Sequence, residues 1–226
     1  MTTSKLDHFY ANSTDITSAL NKLDDYLDQP DRVLIGLTGG PGSGKSTLAA
    51  YLASSFNTQT TDQIACLSMD GFHLSKAQLR ALPDPDAAFA RRGAPWTFDS
   101  AAFVQRVKDI KHAYLTKDVL WPSFDHSLGD PMADDLAIHK DIKVVLVEGL
   151  YLLHQHHGWQ DALALFDEHW FLDVPLDVSI ERLAQRHMAA WGMSHEQAME
   201  RIMQNDGRNA KLVESSKDRA NWLLSL

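Results

Sequence analysis

Four short, unbroken runs of apolar residues predict strands that are buried on both faces, as in a parallel sheet. These runs lie at residues 32–38, 64–69, 143–147 and 170–174. Segments with apolar residues three or four positions apart, which are typical of helices with one buried face, alternate with the runs. These segments are 16–27, 45–56, 100–115, 175–190 and 194–203. Because strands alternate with helices, we predict an α/β fold with three layers (α/β/α) and a mostly parallel sheet.

Other segments have weaker patterns. Residues 71–100 contain several prolines, and we predict an irregular insertion there. A short strand is predicted at 119–121, and residues 221–226 could form a last strand. At 226 residues the chain is expected to form a single domain.

The composition disfavours nucleic-acid-binding, disulfide-linked and membrane-spanning classes of protein. The 21 Lys and Arg against 30 Asp and Glu give a net charge of −9, which disfavours nucleic acid as the main partner. The single cysteine, Cys66, excludes an intrachain disulfide and suits a reducing compartment. No apolar run approaches the roughly 18 residues of a membrane span, and the N-terminus lacks the apolar core of a secretory signal. We therefore expect a soluble, cytoplasmic protein with no membrane partner.

The strongest functional signal is a phosphate-binding pattern, G-x4-G-K-[ST], between a predicted strand and a predicted helix. The pattern consists of Gly39, Gly40, Pro41, Gly42, Ser43, Gly44, Lys45 and Ser46. Its glycines let backbone N–H groups point at phosphate oxygens, and the following helix adds the positive end of its dipole. Lys45 neutralises the outer phosphates, Ser46 is a ligand for Mg²⁺, and Thr47 completes the predicted nucleotide site. Because the chain lacks an Asn-Lys-x-Asp guanine signature, the pattern favours ATP.

Two carboxylates follow predicted strands, at the edge where open α/β sheets bind ligands. Asp70 follows the run at 64–69 and could accept the proton of an acceptor hydroxyl, although a role in turning the chain is equally compatible with its position. Glu148 follows the run at 143–147 and could act on Mg²⁺ directly or through water, with a satisfied strand-end residue as the alternative.

Arginines near the end of the chain are candidates for stabilising charge. Arg182 and Arg186 are four residues apart on one predicted helix and therefore share a face. Arg201 and Arg208 lie beyond a predicted turn. Such arginines could form a lid over the transferring phosphoryl group. For each of them, a solvent-exposed ion pair is the alternative.

Several separated motifs resemble, in the same order, one family of P-loop kinases. They are the phosphate loop and the segments 69–73, 92–99, 124–126 and 147–150. Over about residues 30–226, the chain resembles the uridine kinase / phosphoribulokinase / bacterial-type pantothenate kinase family. Within that family it is most similar to the fructose-transport-system-kinase-like, or uridine-kinase-like, branch.

The resemblance implies an ATP- and Mg²⁺-dependent kinase that phosphorylates a hydroxyl of a sugar, a nucleoside or a pantothenate-like compound. Its implied catalytic residues are Asp70 as base, with Lys45 and Arg186, while Arg182 joins the nucleotide site and Ser46 and Glu148 the metal site. Its implied acceptor residues are Asp70, His73, Arg92, Phe98 and His126. The apolar spacing places an N-terminal helix in residues 1–30, and the resemblance implies an acceptor-site insertion at about 71–100 and a small helical lid at about 186–210.

One departure leaves the acceptor open. Uridine kinases usually follow the base aspartate with an aromatic pair, whereas Gly71 and Phe72 follow Asp70 here. A competing class is a nucleotide-dependent switch or chaperone that hydrolyses ATP without an acceptor, because it would carry the same phosphate loop. Members of such families are often dimers, so a homodimer is expected by analogy alone.

Overall fold

The computed structural model describes residues 10–57, 62–125 and 127–225 and is built on a five-stranded parallel sheet. The strands are β1 (Val33–Gly39), β2 (Ile64–Ser68), β5 (Val144–Gly149), β6 (Glu168–Asp173) and β7 (Trp222–Ser225). Their order across the sheet is β2-β5-β1-β6-β7. The predicted parallel sheet is confirmed, and so is the last strand.

Helices precede, connect and follow these strands. They are α1 (Thr14–Leu27), α2 (Lys45–Ser54), α3 (Lys76–Arg80), α4 (Pro85–Ala90), α5 (Ser100–His112), α6 (Gln160–Leu163), α7 (Leu176–Trp191), α8 (His195–Gln204) and α9 (Asp206–Glu214). Short 3-10 turns occur at Met69–Phe72, Pro95–Thr97 and Lys217–Arg219. Within the described ranges, no helix combines the length and apolar character needed to cross a bilayer.

Two hydrophobic cores cover opposite faces of the sheet, which confirms the three layers. In β1, Ile35 packs into the core that contains α1 and α2, whereas its neighbour Leu34 packs into the core that contains α5. Both side chains are fully buried. Successive strand residues point to opposite faces, so a strand covered on both sides is apolar at every position. The unbroken apolar runs in the sequence have this cause.

The insertion at 71–100 is more regular than the sequence analysis predicted. The Ser75 hydroxyl accepts a hydrogen bond from the Gln78 backbone N–H, and the Gln78 side-chain oxygen accepts one from the Ser75 backbone N–H; this capping box starts α3. Pro85 occupies the first turn of α4 after the capping residue Asp84. The prediction of an irregular segment was wrong here because proline can start a helix as well as interrupt one.

An antiparallel hairpin stands beside the main sheet. Its strands are β3 (Val119–Asp125) and β4 (Asp130–Ile138). The predicted strand at 119–121 is thus longer, and β4 was not predicted. Trp121 is fully buried and donates from Nε1 to the carbonyl oxygen of Ser68, which fixes the hairpin against the end of β2.

Two of the helices near the end of the chain, α7 and α8, form a smaller cluster, whereas Val213 of α9 packs into a main core. Helix α7 ends at Trp191, and the φ of +65° at the next residue, Gly192, confirms the predicted turn. Helix α8 follows as predicted, whereas α9 was not predicted. Leu183 and Ala184 of α7 pack on Ala198 and Ile202 of α8 in a cluster separate from the two main cores.

Candidate active site

The loop between β1 and α2 has the backbone geometry of a phosphate-binding loop. Gly42 and Gly44 have φ values of +80° and +97°, a region that other residues rarely adopt. A Cβ atom on Gly42 would lie 2.3 Å from the carbonyl oxygen of Ser179, so the loop packs directly against α7. Gly44 has no side chain with which to cap α2, and the first turn of this helix holds no acidic residue. Its N–H groups therefore suit an anion.

A cavity of about 250 Å³ lies between this loop and α7. It is lined by Gly42, Gly44, Lys45, Ser46, Thr47, Arg182, Leu183 and Arg186. Arg182 donates from Nη1 to the carbonyl oxygen of Ser43 at 3.0 Å, which holds its guanidinium group beside the loop. Gly39 ends β1, and Gly40 and Pro41 form the first half of the loop. The structure thus brings both predicted arginines to the predicted nucleotide site.

Glu148 faces the phosphate loop from the end of β5. Ser46 donates from Oγ to Oε1 of Glu148 at 3.0 Å, and Nζ of Lys45 lies 4.0 Å from Oε2. The Lys45 and Glu148 side chains are only 13% and 10% exposed. Because the hydroxyl and carboxylate oxygens that meet here are the ligands Mg²⁺ prefers, this pair fits the predicted metal site. Among the described residues, no group of three or more His, Cys, Asp or Glu side chains could hold a metal ion.

Asp70 lies at the same sheet edge as Glu148. Ser68, the last residue of β2, pairs in register with Glu148, and Asp70 follows two residues later in a 3-10 turn. The Ser68 hydroxyl accepts a hydrogen bond from the Asp70 backbone at 3.2 Å and caps this turn. A Cβ atom on Gly71 would lie 2.1 Å from the carbonyl oxygen of Pro122, so only glycine fits between the turn and the hairpin. The Asp70 side chain is 39% exposed and therefore reachable by a ligand.

An aromatic group lies next to Asp70. The His73 ring packs on the rings of Phe98 and Phe124, with centroid distances of 3.9 and 4.7 Å. Nδ1 of His73 lies 2.8 Å from the carbonyl oxygen of Asp70, which can only accept, so Nδ1 carries the proton. Phe98 is 5% exposed, and it supports His73 from the core. We call His73, Phe98 and Phe124 the acceptor wall.

Arg92 holds the hairpin against the insertion. Its guanidinium group donates to the carbonyl oxygens of Gly129 and Leu74 at 2.5 and 2.9 Å and pairs with Asp130 at 3.3 Å. It also lies over the ring of Phe124 at 5.4 Å. Through these contacts, Arg92 holds Phe124 of the acceptor wall in position. His126, the remaining predicted acceptor residue, falls outside the described ranges.

Sequence reasoning missed two residues near this site, Arg91 and Tyr151. The Tyr151 hydroxyl donates to the carbonyl oxygen of Gly93 at 2.6 Å. Burial raises the pKa of Tyr151 above its ordinary value, which keeps the hydroxyl protonated for this bond. Tyr151 directly follows the motif at 147–150, but an aromatic residue in an apolar segment gives no signal beyond core packing.

A glycine-rich loop between a parallel strand and a helix, with a lysine, a serine and a glutamate at one cavity, defines a P-loop nucleotide-binding protein. The model of the phosphoribulokinase / uridine kinase family matches residues 34–225. The chain belongs to this family. It is accordingly an ATP-dependent kinase whose acceptor group is a hydroxyl.

Individual relatives agree with this family. A Schizosaccharomyces pombe protein named "Putative uridine kinase C227.14" is 40% identical over 199 residues, which are 87% of this chain and 84% of that protein. A solved structure from Silicibacter sp. TM1040, described as a "putative fructose transport system kinase", is 34% identical with a TM-score of 0.80, and the match covers 91% of this chain and 97% of that one. YFH7 from Saccharomyces cerevisiae has the same fold at 22% identity, with a TM-score of 0.80 and coverage of 93% and 97%.

Proposed function

We propose that this kinase transfers the γ-phosphoryl group of ATP to a hydroxyl group of a sugar, a nucleoside or a pantothenate-like compound, with Asp70 as general base. The observation that carries the proposal is the register between β2 and β5. Because Ser68 pairs with Glu148, Asp70 follows β2 at the edge where Glu148 contacts Lys45 and Ser46. An acceptor beside Asp70 would then lie next to the phosphate cavity.

The phosphate cavity offers the positive charge that a triphosphate needs. Lys45 lies 4.0 Å from Glu148, too far for a strong hydrogen bond, so a phosphate oxygen can replace this partner. Arg182 and Arg186 line the opposite side of the cavity on α7. With Lys45 they surround the end of the triphosphate with three cationic groups, which would stabilise the charge of the transferring phosphoryl group.

Ser46 and Glu148 are the residues that would hold Mg²⁺. When bound, the ion supplies neutralisation of charge on the phosphate oxygens. In the structure, the Ser46 hydroxyl already points at the Glu148 carboxylate, so both oxygen ligands face one point next to the loop. Mg²⁺ is commonly bound by one or two protein ligands together with substrate phosphates, and this pair is sufficient for that arrangement.

Asp70 would orient the acceptor hydroxyl and accept its proton as the new bond forms. The acceptor wall gives the other face of the compound an aromatic surface to pack on, with His73 nearest to Asp70. Gly71 separates this site from that of uridine kinases, because an aromatic residue there would overlap the Pro122 carbonyl. The acceptor is therefore not expected to be held as uridine is.

The test is ATP consumption with and without a panel of sugars, nucleosides and pantothenate-like alcohols, with the product identified by mass spectrometry. We expect one class to stimulate consumption and to gain one phosphate per ATP used. Lys45→Ala is the control and should abolish the stimulation. ATP hydrolysis that no alcohol changes would contradict the proposal and favour the nucleotide-dependent switch.

A further inference from the structure

Arg91, at the end of α4, connects the acceptor insertion to the far end of the predicted lid. Its Nη1 donates to the carbonyl oxygen of Gln204 at 3.2 Å and to Oδ1 of Asn205 at 2.9 Å. Its Nη2 donates to Oδ1 of Asn209 at 3.1 Å. Arg91 thus spans the junction between α8 and α9 with both arms of its guanidinium group, a fork that lysine cannot reproduce.

The same junction donates hydrogen bonds back to the insertion. Nδ2 of Asn205 donates to the carbonyl oxygen of Arg92 at 2.7 Å, and Nδ2 of Asn209 donates to that of Gly93 at 3.2 Å. Asn209 is only 2% exposed, so this bond is protected from water. The reciprocal bonds between Arg91–Gly93 and the α8–α9 junction involve residues more than 110 positions apart in sequence. We call this set the Arg91 clamp.

The clamp lies between the two halves of the proposed active site. On one side, the next residue, Arg92, holds the hairpin and packs over Phe124 of the acceptor wall. On the other side, Asp206 follows the clamped Asn205, and its Oδ2 lies 3.7 Å from Nε2 of His187. His187 is adjacent in α7 to Arg186, which lines the phosphate cavity. Contacts between these elements, joined by residues adjacent in sequence, therefore connect the acceptor wall to a phosphate-cavity arginine.

Apart from this clamp, helix α8 is held to α7 by a few buried apolar residues and by the exposed contacts of His195 with Glu181 and of Arg201 with Trp191. Its buried residues Ala198 and Ile202 pack only into the small cluster with α7, apart from both main cores. An element held by so few apolar contacts opens at low free energy cost. Removing the clamp should free the lid segment while the sheet remains intact.

We propose that Arg91 is a positioning residue that couples the acceptor wall to the lid arginines, so that binding at the phosphate cavity also orders the acceptor insertion. This coupling rests on the proposed function, because it joins that site's two halves. By linkage, the effect is reciprocal: an acceptor that orders residues 91–99 strengthens the hold of the lid on the nucleotide.

The experiment is hydrogen–deuterium exchange of the full chain, with and without Mg²⁺ and the non-hydrolysable ATP analogue AMP-PNP. Arg91→Ala is compared with Arg91→Lys, which keeps the charge but loses the fork, and with Arg80→Ala. Arg80 is an exposed arginine of the same insertion and serves as matched control. Slow exchange in β1 and β5 shows that a variant is folded. If Arg91→Ala does not fold, the exchange of Arg91→Lys is compared with that of the wild type instead.

Without nucleotide, exchange at 195–204 should rise about tenfold in both Arg91 variants and stay unchanged in Arg80→Ala. With MgAMP-PNP, the wild type should gain protection at 91–99 as well as at 40–47. The Arg91 variants should keep the protection at 40–47 and lose that at 91–99, which a merely structural residue would not cause.

Two results would overturn the coupling: unchanged exchange at 195–204 in the Arg91 variants, or the same nucleotide response at 91–99 as in the wild type. Failure of MgAMP-PNP to protect 40–47 in the wild type would instead contradict the proposed function. The nucleotide-free exchange at 195–204 would still decide whether Arg91 holds the lid.

Discussion

Replacing Gly42 by alanine should destabilise the protein before any nucleotide is added. The new Cβ atom would lie 2.3 Å from the carbonyl oxygen of Ser179 and 2.8 Å from Cγ of Leu183. The backbone oxygen belongs to α7 and cannot rotate away. An ordinary carbon–oxygen contact is at least about 3.3 Å, so α7 would have to move by about 1 Å.

The magnitude follows from two costs. The φ of +80° at Gly42 is unfavourable for alanine by about 1–2 kcal/mol. Overpacking against a fixed backbone adds about 1–3 kcal/mol. We therefore expect the free energy of unfolding to fall by about 2–5 kcal/mol, which in a chain of this size lowers Tm by about 4–20 °C. The displaced helix would also move Arg182 away from its bond to Ser43.

The assay is thermal unfolding of the nucleotide-free protein, followed by circular dichroism. Gly40→Ala is the matched control, because Gly40 lies in the same loop and a Cβ there would meet no atom within 4 Å. Its Tm should change by less than about 2 °C. Equal Tm values for the two variants would refute the close packing of the loop on α7, and with it the cavity described here.

Three further variants test two residues of the site and a buried histidine, His154, that follows β5. Lys45→Ala should weaken ATP binding by about tenfold to a hundredfold, because it removes a charge-assisted contact to phosphate; unchanged affinity by calorimetry would remove Lys45 from the site. Glu148→Gln should lower kcat by at least about tenfold at saturating ATP and Mg²⁺, since a carboxylate ligand is lost; wild-type kcat would contradict the metal assignment. His154 is buried, and burial, aided by the nearby charges of His156 and His157, lowers its pKa to about 4. His154 thus stays neutral in the folded state, while in the unfolded chain it gains a proton below about pH 6.5. As the pH is lowered from about 6.5 to 4, the free energy of unfolding therefore decreases by up to about 1.4 kcal/mol per pH unit. His154→Leu should flatten this dependence between pH 6.5 and 4 in unfolding titrations; an unaltered slope would show that other groups cause it.

The sequence predicted those parts of the molecule that repeat a simple physical pattern. The apolar run at 32–38 and the glycine loop after it gave both the central strand and the phosphate cavity, because each depends on local residue types. Strand β4 was not predicted because most of its residues are exposed, so it lacks the apolar run that marks a buried strand. It pairs with β3 in a hairpin outside the main sheet. The role of Arg91 was not predicted because it depends on hydrogen bonds to Asn205 and Asn209. A single arginine in the sequence gives no pattern that indicates partners so far away.

The acceptor side shows a second limit. The family resemblance implied Arg92 and Phe98 as acceptor residues; in the structure Phe98 is part of the acceptor wall, packed under His73, and Arg92 lies over Phe124 of the same wall. The residue type of Arg92 suggests ligand binding, yet its hydrogen bonds go to carbonyl oxygens of the chain itself. Only the three-dimensional contacts distinguish an arginine that binds a ligand from one that shapes the site.

We propose that Asp70 takes the proton of the acceptor hydroxyl while the loop at 39–46 holds ATP. This role of Asp70 can be measured by single-turnover transfer of labelled γ-phosphoryl from ATP to the compound that stimulates ATP consumption, in wild type and Asp70→Asn. We predict that Asp70→Asn binds ATP within about twofold of wild type and transfers the phosphoryl group about 10²–10⁴ times more slowly. Transfer at the wild-type rate by Asp70→Asn would show that Asp70 is not the base.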